Sequence, residues 1–67
     1  MAVAKVEEIS ATSKKSFEDA IEQGLVRAVK TLRNVRSAWV KEQHVSLDGK
    51  KVVEYQVNMA VTFVLDE

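Results

Sequence analysis

The stretch Val53-Glu54-Tyr55-Gln56-Val57-Asn58-Met59-Ala60-Val61-Thr62-Phe63-Val64-Leu65 decides the fold. Every odd position is a large apolar or aromatic residue. Period two over this length is the mark of a strand with one buried face. The even positions (Glu54, Gln56, Asn58, Ala60, Thr62 and Val64) are neither uniformly charged nor uniformly apolar. A mixed face of this kind suits contact with a protein or a ligand better than bulk water. The functional residues are therefore expected there.

Just upstream stands Asp48-Gly49, a hairpin signal, because type I′ turns need positive φ at both central residues. It predicts a second strand over Arg36 to Leu47 and a third over Lys50 to Leu65. With Asp48 and Gly49 as the turn, Leu47 faces Lys50. Counting outward sets Lys41 opposite Gln56, Trp39 opposite Asn58, Ser37 opposite Ala60 and Val40 opposite Val57. Facing residues share a side of the sheet. Ala38 and Val40 then join the apolar side, and Ser37, Trp39, Lys41 and Gln43 join Gln56 and Asn58 on the far face. A bulge would shift this register by one residue.

Before the hairpin, Phe17, Ala20, Ile21, Gly24, Leu25, Ala28, Val29 and Leu32 recur at steps of three and four, which builds one apolar helical stripe. Gly24 lies on that stripe and is expected to let the helix approach a sheet closely. Glu18, Asp19 and Glu22 crowd the first half, and Arg27, Lys30 and Arg33 the second, an order that suits the helix dipole. Ser13 or Thr12 is expected to cap the helix, with Ser16 and Asp19 as a capping-box-like alternative. Asn34 is the expected terminator. Ala2 to Ile9 reads as a short edge strand, and Ser10 to Ser13 as a small polar break. The order is β-α-β-β: an α+β domain spanning 1–67, with a three-stranded antiparallel sheet packed on one helix.

At 67 residues the chain makes one small domain, and a core of this size supplies only about 3–5 kcal/mol. Small domains usually add a staple. With no cysteine and one histidine, His44, neither disulfides nor a histidine-based zinc site within one chain is available. Self-association remains. Lys and Arg balance Asp and Glu at ten each, so there is no basic excess to drive binding to nucleic acid. No apolar run reaches membrane-spanning length, and the N-terminus lacks a signal-peptide layout. A cytoplasmic protein with neither a nucleic-acid nor a membrane partner is expected.

The far face carries Trp39, the chain's one tryptophan. One helix covers one side of a sheet. Trp39 must be covered by another subunit or a ligand, or stay exposed, and burying it is worth about 1.5–3 kcal/mol. This points to a homo-oligomer.

The element order, the Thr12-Ser13 step into the helix, Val40-Lys41-Glu42, Tyr55-Gln56-Val57 and the ending Val61-Thr62-Phe63-Val64-Leu65 together resemble the dodecins over essentially the whole chain. The resemblance implies a hollow dodecamer with cubic symmetry. Flavin-binding dodecins stack the isoalloxazine ring on a tryptophan and hydrogen-bond it with a glutamine. That glutamine maps onto Gln56. The stacking tryptophan maps onto Ser37, and Trp39 stands two residues on, displaced by roughly 6–7 Å on the same strand face. A second branch, the calcium-associated dodecins, also lacks the stacking tryptophan and resembles Ala38 to Gln43 at least as well.

The resemblance thus implies an FMN- or other flavin-storing shell. In it Trp39 stacks, Gln56 bonds the ring edge, Lys41 favours the phosphate, and Ser37 and Asn58 lie alongside. The alternative is a structural or ion-binding shell, with calcium or magnesium held between chains by carboxylates among Glu7, Glu8, Glu42 and Glu54. Each residue also has a plainer role: Trp39 as a subunit plug, Gln56 as a cross-strand bond and Lys41 as a solvated side chain. Asn58 is a polar contact of unknown partner. His44 reads as a hairpin surface residue and, with Glu42, as a minor metal-site candidate. Nothing marks an enzyme. There is no cysteine nucleophile and no glycine-rich phosphate loop, and no serine–histidine–acid set or carboxylate pair can be placed in a cleft.

Overall fold

The computed structural model describes residues 3–65. Strand β1 spans Ala4–Ser13, helix α1 Phe17–Thr31, strand β2 Val35–Asp48 and strand β3 Lys51–Val64. The sheet is antiparallel in the order β1-β3-β2, so the period-two stretch becomes its central strand.

Burial follows that period only in the middle of β3. Val57, Met59 and Val61 are fully buried, and Val57 and Met59 form the centre of the core with Ala20 of the helix. Val53 and Leu65, at the two ends of the pattern, are exposed. The reason is length. Fifteen helical residues reach roughly 22 Å, whereas fourteen strand residues reach roughly 46 Å. The molecule is accordingly elongated, 51 × 19 × 13 Å. Its hairpin runs out past the helix and leaves Val45, Leu47, Val52 and Val53 exposed.

β1 is longer than expected. Ser10 to Ser13 is strand, not a break, because Ser10, Ala11, Thr12 and Ser13 pair in turn with Asn58, Val57, Gln56 and Tyr55. The ladder satisfies their backbone groups, so small polar side chains do not end the strand. The expected start at Ala2 lies outside the described residues. As expected, β1 is an edge strand.

The connection is only Lys14 to Ser16, and Ser16 is the N-cap, its side chain accepting from Asp19 N at 3.0 Å. The first-named candidates, Thr12 and Ser13, lie in the strand. Ser13 is buried and does different work: its Oγ donates to Asp19 Oδ2 at 2.6 Å and accepts from Lys15 N at 2.9 Å.

The helix buries Ala20, Gly24 and Ala28 against the sheet. Phe17, Ile21 and Leu25 pack partly buried at the flanks of the core. Val29 departs from the expected stripe and is exposed. Nine residues separate it from Ala20, about half a turn out of phase, so it points away from the sheet. Gly24 fills its expected role. A Cβ placed there would lie 2.8 Å from Met59 Cε and 2.9 Å from Ala11 Cβ. The helix stops at Thr31, and Asn34 follows in the left-handed region at φ 60°. There it clamps the sheet: Val64 N donates to Asn34 O at 3.1 Å, and Asn34 Nδ2 donates to Val64 O at 3.3 Å.

The turn is Gly49–Lys50, not Asp48–Gly49, because Asp48 pairs with Lys51. Only Gly49 of these residues has positive φ (64°), which excludes type I′ and matches the glycine-first order of type II′. The register shifts accordingly, and bulges follow between Ser46 and Leu47, Val40 and Glu42, and Val35 and Ser37. Trp39 faces Ala60 rather than Asn58, Ser37 faces Thr62 rather than Ala60, and Val40 faces Met59 rather than Val57. Gln56 faces His44, and Lys41 is the extra residue of a bulge. Gln43 faces Val57 and so leaves the far face, where Glu42 and His44 stand instead.

Candidate functional site

The face turned away from the helix is built in rungs of three. Val6, Thr62 and Ser37 form one rung, and Glu8, Ala60 and Trp39 the next. Ser10, Asn58 and Glu42 follow, then Thr12, Gln56 and His44. All the residues expected there from the pattern of β3 are present. The strand alternation that buries Val57, Met59 and Val61 forces Gln56, Asn58 and Ala60 to the other side.

Trp39 is half-exposed, at 51%. Its neighbour Ala60 is only 2% exposed, although no helix covers that side. Lys41 Nζ reaches Glu8 Oε2 on the opposite edge strand at 2.6 Å. The bond to Glu8 holds the Lys41 ammonium above the usual lysine range. The ion pair is exposed, so it ties the edges together with little net stability.

A chain of side-chain hydrogen bonds spans the next two rungs. Gln56 Nε2 donates to Ser10 Oγ at 2.8 Å and to Asn58 Oδ1 at 3.2 Å. Asn58 Nδ2 in turn donates to Glu42 Oε1 at 3.0 Å. Both amide hydrogens of Gln56 are thus engaged within the face. Its carbonyl oxygen takes no partner among the described residues, which leaves an acceptor for a ligand N–H.

The structure brings Gln56 and Asn58 together, but not Trp39 and Gln56. Four strand steps separate their rungs, roughly 13 Å. That exceeds what one flat ring can bridge while stacked on the indole. Asn58, expected beside Trp39, belongs with Glu42. Ser37 lies one rung beyond Trp39 on the same face. Sequence reasoning missed Glu8, Ser10 and Glu42 as far-face partners, because they depend on the β1 register and on the bulge at Lys41. A polar residue at each alternate position of Glu8, Ser10 and Thr12 was the available signal.

Other chemistry is sparse. No three histidine or acidic side chains cluster as a metal site among the described residues, although Glu42 and His44 share the far face. No described helix is long and apolar enough to cross a membrane. A groove of about 370 Å³ runs between β1 and α1, its apolar lining of Ile9, Ala11, Gly24, Ala28 and Leu32 interrupted by Glu7, Ser10, Gln23, Arg27 and Thr31.

The dodecin family model matches residues 3–66. Dodecin from Thermus thermophilus is 42% identical over 65 residues, covering 97% of this chain and 94% of that protein. The crystal structure of a point mutant of Thermus thermophilus dodecin superposes with a TM-score of 0.94 at 40% identity, covering all of both chains. Dodecin from Streptomyces davaonensis gives 0.93 at 35% identity, over 98% of this chain and 97% of that one. The calcium-chelating antigen calcium dodecin of Mycobacterium tuberculosis, described with a novel calcium-binding site, gives 0.83 at 31% identity, over 96% and 91%. The matches run over nearly the whole chain with the same topology, and the chain belongs to the dodecin family.

Proposed function

We propose that this chain is a non-catalytic binding protein that assembles as a dodecameric shell and holds a flavin between copies on the far sheet face. One observation carries the reading: a half-exposed Trp39 shares a sheet face with a Gln56 amide whose donors are used and whose acceptor oxygen is not. The indole offers a π-face for an isoalloxazine ring, and Gln56 Oε1 offers an acceptor for the ring imide N–H. Because the two stand too far apart within one chain, a second copy must bring its own Trp39 or Gln56 to the same ring. Self-association also covers the exposed hairpin residues Leu47, Val52 and Val53. Stacking on the indole would quench flavin fluorescence and damp its photochemistry, a storage role.

The test is a fluorescence titration of riboflavin and FMN with the purified protein. Quenching that saturates at micromolar protein is expected, and it is lost in Trp39→Ala. Unquenched flavin at that concentration removes the reading.

A second reading has its own support. Ser37, not an aromatic residue, occupies the position matching the stacking tryptophan, and a relative at 31% identity is a calcium dodecin. In that reading the shell holds an ion through Glu42 and His44 contributed by several copies. Calcium titration by calorimetry, with Glu42→Gln as control, separates it from flavin storage.

A further inference from the structure

Val26 and Val29 stand on the outer side of α1, each 56% exposed. Val26 follows the buried Gly24 by two residues, about 200° around the helix, so it points away from the sheet. It is not alone there. Glu22, Val26 and Lys30 follow one another at steps of four and form a single ridge, exposed along its whole length. Gln23 and Arg27 form the neighbouring row, and a groove of about 370 Å³ is lined by these five side chains. A ridge beside a groove is what a second helix needs in order to pack.

The order of charge along the ridge names that helix. Val26 is at its centre, with a carboxylate one turn before it and an ammonium one turn after it. Neither Glu22 nor Lys30 makes an ion pair among the described residues. A two-fold axis through Val26 sets Glu22 of one copy against Lys30 of the other, and the same pair recurs on the opposite side of the axis. The valines meet in the middle, where Val29 extends the apolar contact. Rows at steps of four interdigitate at a crossing angle of about 50°, which keeps the two ridges aligned and their charged ends in register. The ridge is thus complementary to itself. A uniformly acidic or uniformly basic partner would meet like charge at one end.

We propose that the outer ridge of α1 is an isologous contact through which two copies of this chain associate back to back. It lies on the side of the molecule opposite the far sheet face and needs no ligand there. One such contact is weak, because exposed ion pairs contribute little. Copies joined by their sheets present it more than once, and avidity raises its effect.

Sedimentation velocity at low ionic strength tests this on the native protein, Glu22→Lys, Lys30→Glu and the double exchange. Each single reversal sets like charges together at both ends. The weight-average mass is then expected to fall to about half or less, since a two-fold contact joins copies in pairs. The double exchange remakes both pairs and should recover the native mass, as should an equimolar mixture of the two single variants. Added salt should lower the mass of the native protein too, which keeps the test intact if a variant fails to fold. An unaltered mass in both single variants and in salt leaves the ridge to solvent or to a different partner and overturns the proposal. A double exchange that stays as small as the single variants also overturns it, because charge pairing is then not the cause of the loss.

Discussion

Ser13 Oγ donates to Asp19 Oδ2 at 2.6 Å, joining the end of β1 to the first turn of α1. Gln23 Nε2 donates to the same oxygen at 2.9 Å, while Asp19 N is held by the Ser16 cap. At this corner the chain passes from sheet to helix, and one carboxylate organises it.

The Ser13 hydrogen bond, aided by Gln23 and Lys15, holds the Asp19 carboxyl below its usual value. A depressed folded-state value means that the unfolded chain binds the proton more readily. The corner therefore contributes fully above the ordinary aspartate range, and its contribution fades as pH falls through the lowered folded value. Thermal melts from pH 7 down to pH 2 should show an acid-limb loss that is smaller in Asp19→Asn. Ser13→Ala should bring the folded value back toward the ordinary one, which leaves the onset in place and makes the loss smaller than in the native protein. An identical acid limb in all three proteins would show that Asp19 does not control it.

Ser16→Ala removes the N-cap acceptor and should cost about 1 kcal/mol. In a domain of this size that corresponds to a fall in Tm of about 4–8 °C. Thr12→Ala, at the position first expected to cap, should leave the helix unaffected, since Thr12 lies inside β1. Circular dichroism melts of the two variants distinguish the caps.

That contrast shows where the sequence was legible. Period two in β3 and period 3.6 in α1 reflect burial, and burial is dictated by which side chains are apolar. Hence the central strand, the helix and the far-face position of Trp39 could be read directly. Ser10 to Ser13 could not, because small polar residues are equally at home in a loop and on an edge strand, and only the partners in β3 decide between them. The turn was displaced by one residue because Asp48-Gly49 and Gly49-Lys50 both place glycine at a position open to positive φ. The bulge at Lys41 leaves no mark in composition. The turn shift alone moved Trp39 from Asn58 to Ala60, and the bulges put Glu42 rather than Lys41 opposite Asn58, while Trp39 and Asn58 keep the expected face.

Gly24→Ala sets two effects against each other. Alanine gains about 1 kcal/mol in helix propensity. The new methyl meets Met59 Cε at 2.8 Å and Ala11 Cβ at 2.9 Å. The methionine end can swing aside, but Ala11 Cβ is fixed to the backbone of β1, and overpacking of this kind costs about 1–3 kcal/mol. Net destabilisation is expected, and a chemical-denaturation midpoint lower than that of the native protein would show it. A higher midpoint would mean that β1 yields at Ala11.

Gln56→Ala should break the chain from Ser10 to Glu42 at its centre. Loss of the two bonds to Ser10 and Asn58 is expected to cost about 1 kcal/mol, since water can replace part of what is lost on this open face. Gln56→Glu keeps the shape but replaces both donors with acceptors, next to Asn58 Oδ1. It should weaken flavin binding more than Gln56→Ala if Oε1 meets the ring imide from a well-placed network. If both variants bind flavin like the native protein, the amide does not read the ring.

Trp39 decides between ligand and plug. If the indole only seals a contact between copies, Trp39→Ala should dissociate the assembly in sedimentation, and Trp39→Phe should restore it in part. If the indole stacks a flavin, Trp39→Ala should abolish quenching while the assembly stays whole, because the exposed Leu47, Val52 and Val53 still need cover. The two roles move different observables, so sedimentation and fluorescence on the same sample separate them. The storage reading expects the second pattern.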